Sequence, residues 1–302
     1  MTPIVPETAP WCLPAVADTH RPRVVLPAKS CDCHAHICGP FERYAYAPER
    51  IYTPPDATLA DYRRMLTALG VQRAVLVQPS VYGTDNTAML DAIAEGGSWL
   101  RGVAVVEPDI DSALLKKLDA AGVRGMRVNI VDRRARRNEI VLDELLPLAR
   151  KIADFGWHLE MLLQADAVPG LAETCAQLPV DVVLGHLGYV HTDKGGADNS
   201  GFQALLRLLG AGRTWVKLTG PYRISAEELP YADLIPMAHA LVQAAPERLI
   251  WGTDWPHVMM KKTMPNDADI CDLLADWVPD EAIRHRILVD NPAALYGFAP
   301  TD

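Results

Sequence analysis

The chain has no excess of positive charge: 29 Lys and Arg stand against 38 Asp and Glu in 302 residues, a formal net charge of −9. Such a balance disfavours nucleic acid or an anionic membrane surface as a bulk partner. No apolar run approaches the roughly 18 to 20 residues that a membrane span needs, and the N-terminus lacks a basic region followed by an apolar one. Together these absences point to a cytoplasmic protein. No G-x-G-x-x-G and no P-loop follows any strand-like run, which leaves a nucleotide-binding fold little support. Six cysteines stand at 12, 31, 33, 38, 175 and 271. Three lie beside a His pair, yet C-x-C-H-x-H matches no usual zinc knuckle.

What is present fits an ordinary soluble globular protein, 49% hydrophobic and 22% charged, long enough for one large domain or two modest ones. Residues 1–29 carry prolines at 3, 6, 10, 14, 22 and 27 without helical or strand period. They read as an extended arm over the body, or as partly disordered. From residue 30 onward short β-rich apolar runs alternate with stretches of helical period, the signature of a parallel sheet covered by helices. Strands are expected over 31–38, 73–79, 100–108, 123–130, 157–163, 180–186, 214–220 and 249–256. Helices are expected over 58–69, 86–95, 111–121, 141–155, 169–177, 201–209 and 231–244. Eight strands with intervening helices predict a single (β/α)8 TIM barrel over residues 30–302.

A barrel puts its functional groups at the C-terminal ends of its strands. His34 and His36 sit near the end of the first strand, Ser80 follows the second, Arg127 and Arg133 lie at and after the fourth, His186 closes the sixth, Arg223 follows the seventh and Asp254 ends the eighth. His-x-His on a strand points both rings to one face, where they can hold a divalent ion or polarise a carbonyl. The same alternation sends Cys31 and Cys33 to the opposite face as small buried residues. Asp254, boxed by two tryptophans in L-I-W-G-T-D-W-P, needs a partner or a task, because an unpaired buried carboxylate is costly. It reads as a general base or a metal ligand. His186 in G-H-L-G is flanked by glycines that let the chain turn sharply. Arginines 127, 133, 134, 136 and 137 crowd one segment of an otherwise acidic protein, and guanidinium pairs naturally with carboxylate. Arg127, inside its strand, is the one most strongly aimed inward. His158 opens the fifth strand and is expected at the bottom of the barrel, as a structural residue.

These residues resemble a known family. D-C-H-A-H, the stretch G-P-x-x-R-Y-x-Y-A-P-E-R-x-Y-T-P-P-D-A from Gly39 to Ala57, R-G-M-R-V-N, G-H-L-G, W-G-T-D-W-P-H and the closing D-N-P-A-A-L-Y-G look like the amidohydrolase superfamily, and most closely its 2-pyrone-4,6-dicarboxylate lactonase branch. The resemblance runs from about residue 30 to about residue 297. It implies a (β/α)8 barrel that opens a cyclic ester with water. Asp254 would activate the water and later protonate the leaving oxygen, while His34, His36 and His186 polarise the lactone carbonyl. Tyr52, Ser80, Arg127, Arg133 and Arg223 would hold the carboxylates and ring of a small anionic substrate.

Two departures bear on the substrate. The branch has H-x-G-R where this chain reads His186-Leu187-Gly188-Tyr189, which makes Tyr189 a sixth candidate for substrate binding, and a strand-5 tyrosine is replaced by Leu162; His191 is placed to supply a donor nearby. Many members of the superfamily hold one divalent ion through His-x-His, a further His ending strand 5 and the strand-8 Asp. Strand 5 here ends Leu162-Leu163-Gln164, so the reading is a cofactor-free enzyme. The alternative is a weak zinc or manganese site on His34, His36, His186 and Asp254. Sugar-acid lactone hydrolysis or isomerisation, and metal-dependent decarboxylation of an unsaturated or aromatic acid, are the rival chemistries. A homo-oligomer is left open.

Overall fold

A computed structural model describes residues 9–131 and 139–299 of the chain. Its centre is one eight-stranded sheet in sequential order: β1 (Cys31–Ala35), β2 (Arg73–Val77), β3 (Leu100–Ala104), β4 (Val123–Asn129), β5 (His158–Leu162), β6 (Val182–Leu184), β7 (Thr214–Leu218) and β8 (Leu249–Trp251). Every neighbouring pair is parallel. The circle closes just beyond β8, where the Asp254 N–H donates to the His34 carbonyl at 2.8 Å and the His36 N–H donates to the Trp255 carbonyl at 2.8 Å. The fold is therefore the (β/α)8 barrel, and its seam is sealed by the residues singled out for chemistry.

The helices that cover the sheet are α1 (Leu59–Leu69), α2 (Thr87–Gly96), α3 (Ser112–Ala120), α4 (Leu142–Ala153), α5 (Leu171–Gln177), α6 (Ser200–Gly210), α7 (Ile235–Ala244) and α8 (Asp267–Trp277). The short α9 (Glu281–His285) and α10 (Asn291–Tyr296) follow. Local signals set their ends. Thr58 and Asp61 form a reciprocal capping box at the start of α1, and Gly70 stops it in the left-handed conformation. From α1 to α8 the helices turn buried apolar residues toward the sheet, and the main buried cluster joins Tyr62, Leu66, Met89, Leu115, Ile152, Leu205 and Leu241 to Leu76, Leu159, Val216 and Leu249.

Inside the barrel the lower half is a packed plug. Cys31, Cys33, Val75, Val77, Val103, Val183, Trp215 and Ile250 form one buried cluster with Tyr296 and Phe298. Residues from six strands around the circle can meet only at its centre. Cys31 and Cys33 are thus buried as expected, but they face inward, on the same side as His34 and His36. The reason is a bulge: Asp32 to Ala35 on β1 spans the register that Ala74 to Leu76 covers on β2, one residue more. The extra residue breaks the period of two, so Cys33 and His34 both turn inward. Asp32 points out and accepts from Tyr62 Oη, Thr253 Oγ1 and the backbone N–H groups of His34 and Thr253 at 2.6 to 3.0 Å.

His158 belongs to this lower half. Its ring meets Tyr296 edge-on at 5.2 Å and occupies the space above Gly125, where a Cβ would come within 2.4 Å of it. Residues 9–29 run without helix along the body. The Cys12 N–H donates to the Thr53 carbonyl at 2.8 Å, Arg23 pairs with Asp272 on α8 at 2.9 Å, and the Met259 N–H donates to Cys12 Sγ at 3.3 Å.

Candidate active site

Asp254 stands at the top of the barrel with no exposed surface and with φ at +66°, a left-handed conformation that Asp tolerates better than most residues. Its two oxygens have different surroundings. Oδ2 accepts from Tyr222 Oη at 2.6 Å and from Arg223 Nε at 2.6 Å. Oδ1 has no hydrogen-bond partner, although it is buried; it faces His34 Nε2 at 3.5 Å and His36 Nε2 at 3.7 Å. Burial alone would push this carboxyl up. The Arg223 guanidinium, with His186, His34 and His36, outweighs that and holds it well below the usual carboxylate range.

The three histidines converge on the bare oxygen. The His34 ring lies 5.0 Å from that of His36 and 5.3 Å from that of His186. His36 Nδ1 lies 2.8 Å from the Val77 carbonyl, so that nitrogen carries the proton and Nε2 offers a lone pair to the cavity. Burial, reinforced by Arg127, pushes His36 down to about 4. Burial likewise pushes His186 down to about 3. Both rings are neutral at ordinary pH. His186 itself takes a positive φ of 50°, as do Leu187, Gly188 and Tyr189 after it. The turn read from the flanking glycines is therefore made by the histidine and its successors as well. Two glycines clear the space around the cluster: a Cβ on Gly252 would lie 2.7 Å from the His34 nitrogen, and one on Gly220 would lie 2.5 Å from His186 Nδ1.

Above the cluster opens a cavity of about 530 Å³ lined by His36, Tyr52, Ser80, Arg127, Leu162, His186, Tyr189, His191, Arg223 and Asp254, with Lys261 at its exposed rim. Five of the six residues expected to meet substrate, Tyr52, Ser80, Arg127, Tyr189 and Arg223, are brought here. Arg127 is buried and donates to the Gln78 carbonyl at 2.8 Å, while its Nε has no partner among the described residues. Ser80 Oγ lies 3.5 Å from Tyr52 Oη. Arg133, with Arg134, Arg136 and Arg137, lies outside the described residues. Leu162 and Tyr189 make an apolar and aromatic wall, and His191 adds a ring 5.7 Å from that of Tyr189. A larger groove of about 880 Å³ runs between α5 and α6 on the outer layer and contains none of these residues.

Sequence reading missed two buried networks, one beneath the cluster and one beside it. In one, Lys217 of β7 meets Glu160 of β5 at 2.6 Å and His34 Nδ1 at 3.1 Å. In the other, Tyr222 Oη lies 3.0 Å from His257 Nδ1, and His257 Nε2 lies 3.1 Å from Asp267. The first left a signal: W-H-L-E-M-L-L and T-W-V-K-L-T-G each place one charge, of opposite sign, inside an apolar strand run. His257 was visible only as the last letter of a motif. Among the described residues, His34, His186 and Asp254 each bring one donor atom within 4.8 Å of the others, an arrangement that could hold a metal ion.

The amidohydrolase family model matches residues 31–298. This chain belongs to the amidohydrolase family. Among curated proteins it is 37% identical to the 4-sulfomuconolactone hydrolase of Hydrogenophaga intermedia over 295 residues, 96% of each chain. It is also 37% identical to the 2-pyrone-4,6-dicarboxylate hydrolase of Comamonas testosteroni over 299 residues, 96% of this chain and 97% of that one. Among solved structures, an Acinetobacter baumannii protein described as a probable 2-pyrone-4,6-dicarboxylic acid hydrolase, with citric acid bound, superposes with a TM-score of 0.79 at 28% identity. That match covers 89% of this chain and all of the other. No described helix is long and apolar enough to cross a membrane.

Proposed function

We propose that this amidohydrolase opens the ester ring of a small anionic lactone with water, and that Asp254 is its general base. The observation that carries the reading is the bare Oδ1 of Asp254, buried at the floor of a cavity whose other charged walls are Arg127, Arg223 and Lys261. A cavity of this size takes a single substituted ring, and its cationic side suits a carboxylate or sulfonate on that ring. The relatives that hydrolyse a sulfomuconolactone and a pyrone dicarboxylate support this substrate class.

In the proposed reaction, a water donates one proton toward Asp254 Oδ1 and the other toward the lone pair of His36 Nε2. Its oxygen attacks the lactone carbonyl as Asp254 takes the first proton. Negative charge gathers on the carbonyl oxygen, where His34 and the unpartnered N–H of Arg127 act as donors. When the tetrahedral intermediate collapses, the ring C–O bond breaks and Asp254 returns its proton to the leaving oxygen, giving a hydroxy or keto acid with one new carboxylate. Arg223 keeps Asp254 ionised but also weakens it as a base. The larger share of barrier lowering therefore falls on the donors at the carbonyl, where preorganised charge acts most strongly.

The reaction is proposed to run without a resident divalent ion. The donor atoms of His34, His186 and Asp254 lie close enough for one, but they do not suit tight binding. Asp254 is already neutralised by Arg223, the cavity is otherwise cationic, and β5 presents Leu162 where a further ligand would stand.

The test is hydrolysis of 2-pyrone-4,6-dicarboxylate and 4-sulfomuconolactone, followed by ultraviolet loss of the ring, with an uncharged lactone as control and with prior chelation. Turnover of a charged lactone that survives chelation is expected. Turnover of the uncharged lactone alone would refute the anionic assignment. Loss of activity on chelation, restored by zinc or manganese, would refute the metal-independent one.

A further inference from the structure

Lys217 is fully buried, directly beneath His34. An ammonium has three protons to give and no lone pair with which to accept. Three acceptors surround it: Glu160 Oε2 at 2.6 Å, the Cys33 carbonyl at 2.7 Å and His34 Nδ1 at 3.1 Å. The count closes only if His34 Nδ1 is unprotonated. In the other tautomer an N–H would point at the ammonium, and one buried ammonium proton would be left without an acceptor, which proteins rarely tolerate. The Glu160 Oε1 atom that this other tautomer would use lies farther off, at 3.4 Å.

We infer that Lys217 is a positioning residue that locks His34 as its Nε2–H tautomer, fixing it as a hydrogen-bond donor toward the Asp254 side of the cluster and withholding it from metal binding. The two otherwise orphaned atoms above then fall into place, because His34 Nε2–H faces Asp254 Oδ1 across 3.5 Å as donor to acceptor. The same count excludes the imidazolium, whose Nδ1–H would also point at the ammonium, so a single proton is there to be placed. His36 is set the opposite way by the Val77 carbonyl. One His-x-His pair thus sets one donor against Asp254 Oδ1 and one lone pair toward the cavity that His36 lines.

The lock also makes a statement about metal. Without the ammonium, Glu160 Oε1 becomes the nearest partner of His34 Nδ1, which then keeps the ring proton and donates it to Oε1 in a hydrogen bond. The Nε2 lone pair then opens toward the donor atoms of His186 and Asp254, as in a carboxylate–histidine–metal arrangement. The use of the Nε2–H donor in catalysis rests on the lactone hydrolase reading. The tautomer does not, since it is read in the free enzyme.

The full-length, chelator-treated protein, labelled with 15N-histidine, is examined by long-range 1H–15N NMR at neutral pH without substrate, the His34 signals being assigned by their loss in His34→Gln. The expected pattern is a protonated Nε2 and a bare Nδ1; a proton on Nδ1 would overturn the inference even in an active lactonase. Calorimetry with zinc follows on wild type and Lys217→Met, the variant being expected to bind zinc at least ~10-fold more tightly, the scale on which such outer partners act. Equal or weaker binding by a folded variant would contradict the lock. If Lys217→Met does not fold, the proton position in the wild-type protein carries the test by itself. The wild-type spectrum decides the tautomer in either case.

Discussion

The lower and upper halves of the barrel interior are built from the same strands and obey different rules. Below, Cys31, Cys33, Val75, Val103, Val183 and Ile250 fill space, and any apolar residue of similar volume should serve. Above, His34, His36, His186, Asp254, Glu160 and Lys217 are as deeply buried as the plug, with Arg223 partly buried beside them, yet here the polar atoms are either specifically paired or left bare toward one another. The boundary between them is a single turn of strand. On β7, Trp215 belongs to the plug and Lys217, two residues on, to the charged layer. Shape decides the lower half and proton accounting decides the upper one.

The comparison is broken most sharply at Asp254. Asp254→Asn retains an oxygen for Tyr222 or Arg223 but loses the base, and turnover is expected to fall by ~10³-fold or more while circular dichroism stays that of the wild type. Near-wild-type turnover would remove the base role. Next in size is Arg127→Met. It is expected to raise KM for an anionic lactone by ~10-fold or more, the range of a charge-assisted contact, with a much smaller change in kcat. An unchanged KM would take Arg127 out of the substrate site.

Acid should reveal the upper half through its histidines. His36 and His186 are lowered to about 4 and about 3, from an ordinary value of 6.5. The unfolded chain therefore takes up protons below about pH 6.5 while the folded protein does not. Their contribution to stability is complete above that pH and is lost progressively as pH falls toward about 4. The melting temperature is expected to drop between pH 7 and pH 5, while kcat/KM stays level until His36 and then Asp254 begin to protonate. A fall in kcat/KM centred between pH 6 and 7 would mean that a histidine with an ordinary value controls the rate. The smallest effect is predicted for the plug: Cys33→Val, close in volume, should cost less than about 1.5 kcal/mol in a denaturant titration and leave kcat unchanged. A large loss of activity there would show that the two halves are not separate.

How much of this was legible in the sequence follows the same division. All eight strands were readable because buried parallel strands are continuous Val- and Leu-rich runs, covered on both faces. Their C-terminal ends were read too long. The run over 249–256, for example, is strand only through Trp251, because the apolar and polar residues of the rim continue the pattern without the ladder. Rim residues were legible by position, since the fold dictates where strand ends go. The facing of Cys31 and Cys33 was not, because one bulged residue inverts parity and leaves no mark in composition. Nor was the pairing of Lys217 with Glu160 across 57 positions, or the Tyr222–His257–Asp267 chain. Such contacts are set by the closing of the barrel, which the period of a strand does not encode.

The role of Asp254 is tested most directly by where the oxygen of water goes. With enzyme in excess over 2-pyrone-4,6-dicarboxylate in 18O-water, a general base delivers label straight from solvent, so the first turnover should place one 18O in the new carboxylate and none in the enzyme. Unlabelled first-turnover product, with 18O appearing in the peptide that contains Asp254, would make that residue a nucleophile and contradict the account.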